Sequence, residues 1–409
     1  MSIRSLALLL ISLPLALAGC SDNSAESVGA TNASLPPPIP GVIAASGESA
    51  TKPVPVPNPP QVQARGYYLI DYVTGHVLAA SNENERLEPA SLTKLMTAYA
   101  VFHALKDGRI KLDDMVRVSP YARSQEGSRM FIEAGSSVSV EDLIQGMIVQ
   151  SGNDATVALA EHVAGSEPVF VELMNQYAQQ LGMVNTHFQN SPGMPGPEHY
   201  TTARDIALLA VALIREYPEY YKWYSQRDFT WNKIRQPNRN GLLDRDPSVD
   251  GLKTGHTESA GYCLVSSAKR EDMRLVSVVM GSPSVRARED ASSALLNYGF
   301  NFYQTRKLYA AQQPLLQLPV WKGQSDDATL TVIEDVYATF PRGQESTLSV
   351  AADVNEPLIA PLDTATAVGK LRVSMGDTVV ATYPLHVREE VPQGGFFGRL
   401  VDEVLLWMK

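Results

Sequence analysis

The spacing of apolar residues changes twice along this chain, and that change limits the folds open to it. Residues 67–71 and 76–80 are apolar-rich runs flanking Thr74-Gly75, which predicts a β-hairpin. From Leu92 the spacing becomes helical, with Leu92, Leu95, Met96, Tyr99 and Phe102 on one face. Further helices are expected over 140–149, 155–163, 169–181 and 203–217. Strand-like runs return around Thr230, at 261–267 and at 275–280, ahead of a helix near 288–298. Strands, then helices, then strands again predict one α+β domain assembled from both ends, over residues 62–310.

Beyond about residue 311 the composition shifts. Val- and Thr-rich runs at 328–333, 336–340, 348–354, 368–374 and 378–383 are separated by turn residues such as Pro341-Arg342-Gly343 and Gly376-Asp377. This predicts a small all-β domain over 311–388. The segment 389–409 stands apart. Within 394–409, Phe396, Phe397, Leu400, Val401, Val404, Leu405 and Met408 share one helical face, with Arg399, Asp402 and Glu403 opposite. Trp407 suits a membrane interface, and the helix is too short to span a bilayer. An interfacial membrane anchor is the preferred reading, and packing on the body or a partner the alternative. Arg399 and Lys409 offset Asp402 and Glu403, so apolar burial would drive any binding.

A chain of 409 residues with 44% hydrophobic and 19% charged residues is that of a globular protein of about two domains. Its net charge of −10, with no basic stripe, argues against nucleic acid as a partner. Residues 1–19 read as a signal peptide, with Arg4 before a short apolar core. Two cleavage patterns overlap there. Ala16-Leu17-Ala18 suits ordinary signal peptidase, whereas Leu17-Ala18-Gly19-Cys20 resembles a bacterial lipobox that would lipidate Cys20. The lipobox is preferred. Residues 20–61 hold nine prolines between Pro36 and Pro60 and read as a tether, able to reach on the order of 100 Å when extended. The second cysteine, Cys263, lies in an apolar run and reads as a buried hydrophobe. No metal-ligand cluster, phosphate loop or internal repeat is apparent, and no cofactor is expected.

Three short motifs carry chemistry: Ser91-Leu-Thr-Lys94, Ser151-Gly-Asn153 and Lys253-Thr-Gly255. A helical turn puts Ser91 and Lys94 on one face. A serine hydroxyl needs an adjacent base, and lysine can serve when desolvation and a nearby positive group lower its pKa. Lys253 is the expected group. Ser151 can relay a proton between Lys94 and a leaving amine, and Asn153 can hold a substrate amide. Lys253 and Thr254 can engage a substrate carboxylate, while Gly255 lets a ligand backbone approach the strand edge. The backbone N–H groups of Ser91 and His256 are the expected oxyanion donors. Each motif also has a structural reading: a helix N-cap at Ser91, a loop and cap at Ser151, a β-turn with a surface lysine at Lys253. Their joint occurrence, in this order and spacing, favours chemistry.

The set resembles that of penicillin-binding proteins and β-lactamases. With Pro89-Ala-Ser-Leu-Thr-Lys94, Gln150-Ser-Gly-Asn-Asp154, Arg239-Asn-Gly-Leu-Leu243 and Asp250-Gly-Leu-Lys-Thr-Gly-His256, residues 62–409 resemble the low-molecular-mass D-alanyl-D-alanine carboxypeptidases of the penicillin-binding protein 5/6 type. The resemblance implies a transpeptidase-like catalytic domain, a β-rich second domain and a C-terminal amphipathic helix. It also implies removal of the terminal D-alanine from peptidoglycan pentapeptides, and acylation by β-lactams. By position it assigns Arg288 to the terminal carboxylate. Ser191-Pro192-Gly193-Met194 departs from the family's pattern of a polar residue before Gly-Leu, and the lipobox and tether are not general to it. A non-Asp residue, Ser21, after a lipidated Cys20 would permit outer-membrane sorting; otherwise a periplasmic protein on the inner membrane face is expected.

The nearest rival is a class A β-lactamase, which needs a glutamate with an asparagine four positions on; Glu172 and Asn175 are three apart. Endopeptidase action on cross-links is closer chemistry that the motifs barely separate. A silent wall-binding scaffold is disfavoured by the intact Ser91, Lys94, Ser151, Asn153 and Lys253.

Overall fold

The computed structural model describes Leu35 and residues 55–408. The signal peptide, Cys20 and residues 21–54 other than Leu35 lie outside the described residues.

An antiparallel five-stranded sheet forms the centre of the catalytic domain. Its strands are β1 (Gly66–Asp71), β2 (Val77–Ser81), β3 (Val249–Thr257), β4 (Gly261–Arg270) and β5 (Met273–Ser282), in the order β2-β1-β5-β4-β3. The two ends of the domain therefore pair directly, Tyr67 opposite Val279 and Leu69 opposite Ser277. Alternate residues point to opposite faces: Leu69, Leu264, Leu275 and Val279 enter one core, Ile70, Cys263, Val265, Val276 and Val278 the other. Burial of both faces explains why these strands read as continuous apolar runs.

The larger core holds α1 (Lys94–Lys106), α2 (Val140–Val149), α3 (Asn153–Ala164), α4 (Glu167–Gln180) and α5 (Ala203–Glu216). The opposite face is covered by α6 (Val285–Phe302) through Leu295 and Leu296. Ser139, Thr202 and Ser284 cap α2, α5 and α6 by accepting from Asp142, Asp205 and Ala287 N–H groups. A separate hairpin, Asp228–Trp231 with Ile234–Pro237, accounts for the strand expected near Thr230.

The second domain begins earlier than composition suggested. Strand β6 (Tyr303–Tyr309) follows α6 without a turn residue and pairs with β9 (Val336–Pro341). The remaining strands are β7 (Leu316–Trp321), β8 (Asp327–Thr331), β10 (Leu348–Val354), β11 (Leu358–Ile359), β12 (Ala367–Met375) and β13 (Thr378–Val387). They form a sheet in the order β10-β12-β13-β8-β7-β11 around their own core. A buried hydrogen-bond cluster joins the domains: Asp71 Oδ2 accepts from Thr305 Oγ1 at 2.6 Å, and Thr339 Oγ1 lies 2.9 Å from Thr305 Oγ1 and 2.6 Å from Thr74 Oγ1.

The expected tether extends less far than residue 61. Val56 and Val62 pack on the catalytic core, and Pro57 O accepts from Tyr298 at 3.0 Å. At the other end, α7 (Phe396–Trp407) turns its polar side to the second domain, where Asp402 accepts from Lys322 N and Glu403 pairs with Lys322 Nζ. Its apolar residues face outward, with Phe397 82% and Trp407 88% exposed. No described helix is long and apolar enough to cross a membrane.

Candidate active site

The sequence between Pro89 and Lys94 forms a single tight turn that divides its side chains between core and cleft. Ala90–Thr93 is a 3-10 helix that passes into α1 at Lys94, in place of a continuous α-helical turn. Leu92 and Leu95 are fully buried, which anchors the turn and leaves Ser91 at the wall of a cleft. Ser91 is not a helix cap, since Pro89 holds that position. Ala90 has φ +47° and Ser151 φ +65°. Such left-handed conformations in non-glycine residues cost about 1–3 kcal/mol each and persist where the surrounding fold over-determines them.

Lys94 runs beneath Ser91 and is 1% exposed. Its Nζ lies 3.0 Å from Ser91 Oγ, 2.7 Å from Asn153 Oδ1 and 2.6 Å from Pro192 O. Burial lowers the lysine to about 7; Arg239 adds to the shift and Asp154 opposes it. Arg239 thus adds a positive charge that sequence reasoning did not name, beside the mutual repulsion of Lys94 and Lys253. Lys253 Nζ lies 2.9 Å from Ser151 Oγ and 3.0 Å from Thr254 O, and is itself pushed well down by burial and by the charge of Lys94. Two serine–lysine pairs from three separate stretches of chain therefore meet in one cleft.

Asn153 is oriented by two hydrogen bonds to the protein. Its Nδ2 donates to Glu126 O at 2.6 Å, which orients Oδ1 toward Lys94. Its second N–H meets only Met194 Sδ at 3.6 Å and the residue lines the cleft, so the substrate amide expected from the sequence can be held with both of these bonds in place. Asp154 does not cap α3, whose N-cap is Gly152. Its fully buried carboxylate accepts from Met130, Phe131 and Ile132 N–H at 2.8, 2.8 and 3.2 Å, fixing the loop that carries Gly127 and Ser128 into the cleft.

Gly255 lines the cleft and also permits a close approach within the protein. A Cβ there would lie 3.0 Å from Pro89 O and 3.3 Å from Leu92 Cγ, so its missing side chain lets β3 press against the turn that carries Ser91. Thr254 lines the cleft beside it. The His256 ring is exposed and stacks on Tyr262 at 4.0 Å between centroids. Arg288 is 5% exposed; it donates to Gly255 O at 3.2 Å and Cys263 O at 3.4 Å, and among the described residues its Nε has no protein partner. Cys263 is buried and its thiol is pushed up to about 11, the inert role expected.

The Ser191–Met194 stretch closes the cleft opposite β3. Thr97 Oγ1 donates to Ser191 O at 2.7 Å, and Gly193, at φ +89°, sits where a Cβ would meet Ala90 O at 1.9 Å. His199 secures the far end of this loop. Its Nδ1 accepts from Gln189 N at 2.9 Å, so Nε2–H donates to Thr93 Oγ1 at 2.8 Å. Burial keeps this imidazole neutral, down at about 4. Asn175 is tied at both ends to the Phe188 backbone, and neither it nor Glu172 lines the cleft.

The cleft encloses about 770 Å³, and none of its lining residues is acidic. Arg239 and Arg288 face it, above the two buried lysines. Arg239 forms no ion pair among the described residues, the condition for binding an external carboxylate. Sequence reasoning did not assign it to the site, although it stands in the Arg239-Asn-Gly-Leu-Leu243 motif. Among the described residues no group of three or more metal-ligating side chains is placed to hold a metal.

A family model described as D-alanyl-D-alanine carboxypeptidase matches residues 53–284, the stretch that carries all three motifs. The chain belongs to the D-alanyl-D-alanine carboxypeptidase family. The penicillin-binding protein 5 C-terminal domain model matches residues 303–393, beginning where β6 begins. D-alanyl-D-alanine carboxypeptidase DacA of Escherichia coli K12 is 44% identical over 359 residues, 86% of this chain and 89% of that protein. DacC of the same organism is 46% identical over 355 residues, 85% and 89% of the two chains. Penicillin-binding protein 5 from Haemophilus influenzae superposes with a TM-score of 0.79 at 44% identity, covering 82% of this chain and 99% of that one. Penicillin-binding protein D2 from Listeria monocytogenes, solved in an ampicillin-bound form, matches 60% of this chain and 99% of its own at 30% identity and a TM-score of 0.53. This family member is accordingly an enzyme, a D-Ala-D-Ala carboxypeptidase of the penicillin-binding type.

Proposed function

We propose that Ser91 is the nucleophile that attacks the carbonyl between the two terminal D-alanines of a peptidoglycan pentapeptide, with Lys94 as its base. The single observation that carries this reading is the 3.0 Å contact between Ser91 Oγ and a fully buried lysine amine lowered to about 7. At neutral pH a large fraction of that amine is free to accept the serine proton. The Ser91 alkoxide adds to the carbonyl as the backbone N–H groups of Ser91 and His256 stabilise the oxyanion. Collapse breaks the C–N bond; the leaving D-alanine amine takes its proton through Ser151, which Lys253 orients at 2.9 Å. Water then hydrolyses the acyl-enzyme. Arg239, with Lys253, Thr254 and Arg288, receives the terminal carboxylate, which the absence of acidic residues from the cleft lining favours. A β-lactam enters by the same route and acylates Ser91.

Incubation of the purified protein with disaccharide pentapeptide and cross-linked dimer, read by mass spectrometry, tests the substrate. Loss of one alanine from the pentapeptide with the dimer intact is the expected result. Dimer cleavage at a comparable rate would shift the reading to endopeptidase.

The protein is further proposed to work in the periplasm, bound to the membrane through residues 394–409, with lipidated Cys20 as a second anchor. The outward apolar face of α7 supports the first part. In a Cys20→Ser variant, which cannot carry the lipid, cosedimentation with neutral phosphatidylcholine vesicles should occur and persist in high salt, and adding Phe397→Asp with Leu400→Asp should abolish it. Binding that survives both substitutions would remove α7 from the reading.

A further inference from the structure

A neutral lysine amine has two N–H donors and one lone pair, and only the lone pair can take the Ser91 proton. Lys94 Nζ has three neighbours, two of which are oxygens that only accept: Asn153 Oδ1 at 2.7 Å and Pro192 O at 2.6 Å. Once these occupy the two N–H groups, the lone pair is directed at Ser91 Oγ. With Lys94 as the base, the position of the Pro192 carbonyl therefore matters, and a buried carboxylate outside the cleft is bonded to the residue before it.

Glu167 is the first residue of α4 and is 7% exposed. Its Oε1 accepts from Ser191 N at 2.9 Å and from Ser191 Oγ at 2.7 Å; its Oε2 accepts from Tyr121 OH at 2.6 Å. Ser191 is gripped from the other side by Thr97, whose hydroxyl donates to Ser191 O at 2.7 Å. The next carbonyl along the chain is that of Pro192. Glu167 does not line the cleft, so any effect on chemistry must pass through this loop.

We infer that Glu167 is a positioning residue for Lys94: by holding Ser191 it places the Pro192 carbonyl that turns the lysine lone pair toward Ser91. The inference rests on Lys94 as the base. It also gives a physical role to the Ser191-Pro192 sequence, because the Ser191 hydroxyl supplies the second of two bonds to Glu167.

The test uses the full chain, a fluorescent penicillin as the probe, and the limiting acylation rate, half-saturating concentration and pH profile as readouts. Glu167→Ala should slow limiting acylation about tenfold with half-saturation unchanged within about twofold. It should also move the midpoint of the acid limb away from its wild-type value near 7, because a misdirected amine meets different partners. Glu167→Gln keeps an oxygen for the Ser191 amide and hydroxyl, and should recover the rate to within about threefold together with the midpoint. A purely structural role would lower thermal stability and leave the midpoint in place. Wild-type rate and profile in Glu167→Ala would overturn the proposal, as would a Gln variant as impaired as the Ala one. Should Glu167→Ala fail to fold, Ser191→Ala reads the same link by removing one of its two bonds. It should slow acylation about threefold at unchanged half-saturation, and an unaltered rate would overturn the proposal. Failure of the wild type to label would instead overturn the assignment of Ser91 and Lys94, and this inference with it.

Discussion

Lys94→Ala should lower the rate of Ser91 acylation by about a thousandfold, within the usual range for loss of a general base, with little change in secondary structure. The wild-type rate should rise with pH through about 7 and level off above it, because the neutral lysine is the active form. The sign follows from burial: a desolvated ammonium loses its proton more readily, so the base becomes available near neutrality rather than above pH 10. The variant should lose this acid limb altogether. Stopped-flow acylation by a fluorescent penicillin, followed across roughly pH 5 to 9, measures both features. An unchanged rate would remove Lys94 as the base. A slowed variant that keeps an inflection near 7 would transfer the titration to another group, of which Lys253 at Ser151 is the nearest in kind.

The second large effect is on stability. Asp154→Ala removes a fully buried carboxylate and strands four backbone amides, those of Met130, Phe131, Ile132 and Ala155. Loss of a buried charged acceptor with several donors costs about 3–5 kcal/mol. The shift of the urea unfolding midpoint measures it. Activity should fall as well, since this loop presents Glu126 O to Asn153 and so helps orient the amide that faces Lys94. Asp154→Asn, which keeps one acceptor oxygen, should lose roughly half as much stability. A midpoint within about 0.5 kcal/mol of wild type in the Ala variant would show that water replaces the carboxylate there.

Local pattern made much of the catalytic domain legible. The helices expected over 140–149 and 203–217 appear as Val140–Val149 and Ala203–Glu216, because apolar spacing and a Ser or Thr cap act within a few residues. The β-rich second domain was equally readable from its Val/Thr runs, but Tyr303–Tyr309 and Leu316–Trp321 were not. The first carries polar residues that pair with Val336–Pro341, and the second contains Pro319, which lowers strand propensity and stands here opposite Asp327 in the ladder. Residue 56 looked like tether by composition, yet Val56 packs on the catalytic core beside Val62.

The site divides in the same way. Ser91, Lys94, Ser151 and Lys253 announce themselves because each needs a particular functional group, and side-chain identity is what a sequence records. What lowers Lys94 to about 7 and orients its amine was not recorded there. Its burial, the positive charge of Arg239, and the carbonyls of Pro192 and Glu126 come from segments up to about a hundred and fifty residues away, and a backbone carbonyl leaves no mark in the one-letter code. Glu167 is ordinary in sequence, a first-turn helix glutamate. It gains its partners because α4 and the 189–199 loop meet beside α1. The sequence by itself determined which groups can react and which segments are helix or strand, since these depend on residue type and short-range spacing. Tertiary structure alone decided pKa, orientation and access, since these depend on distances between groups that the chain brings together only when folded.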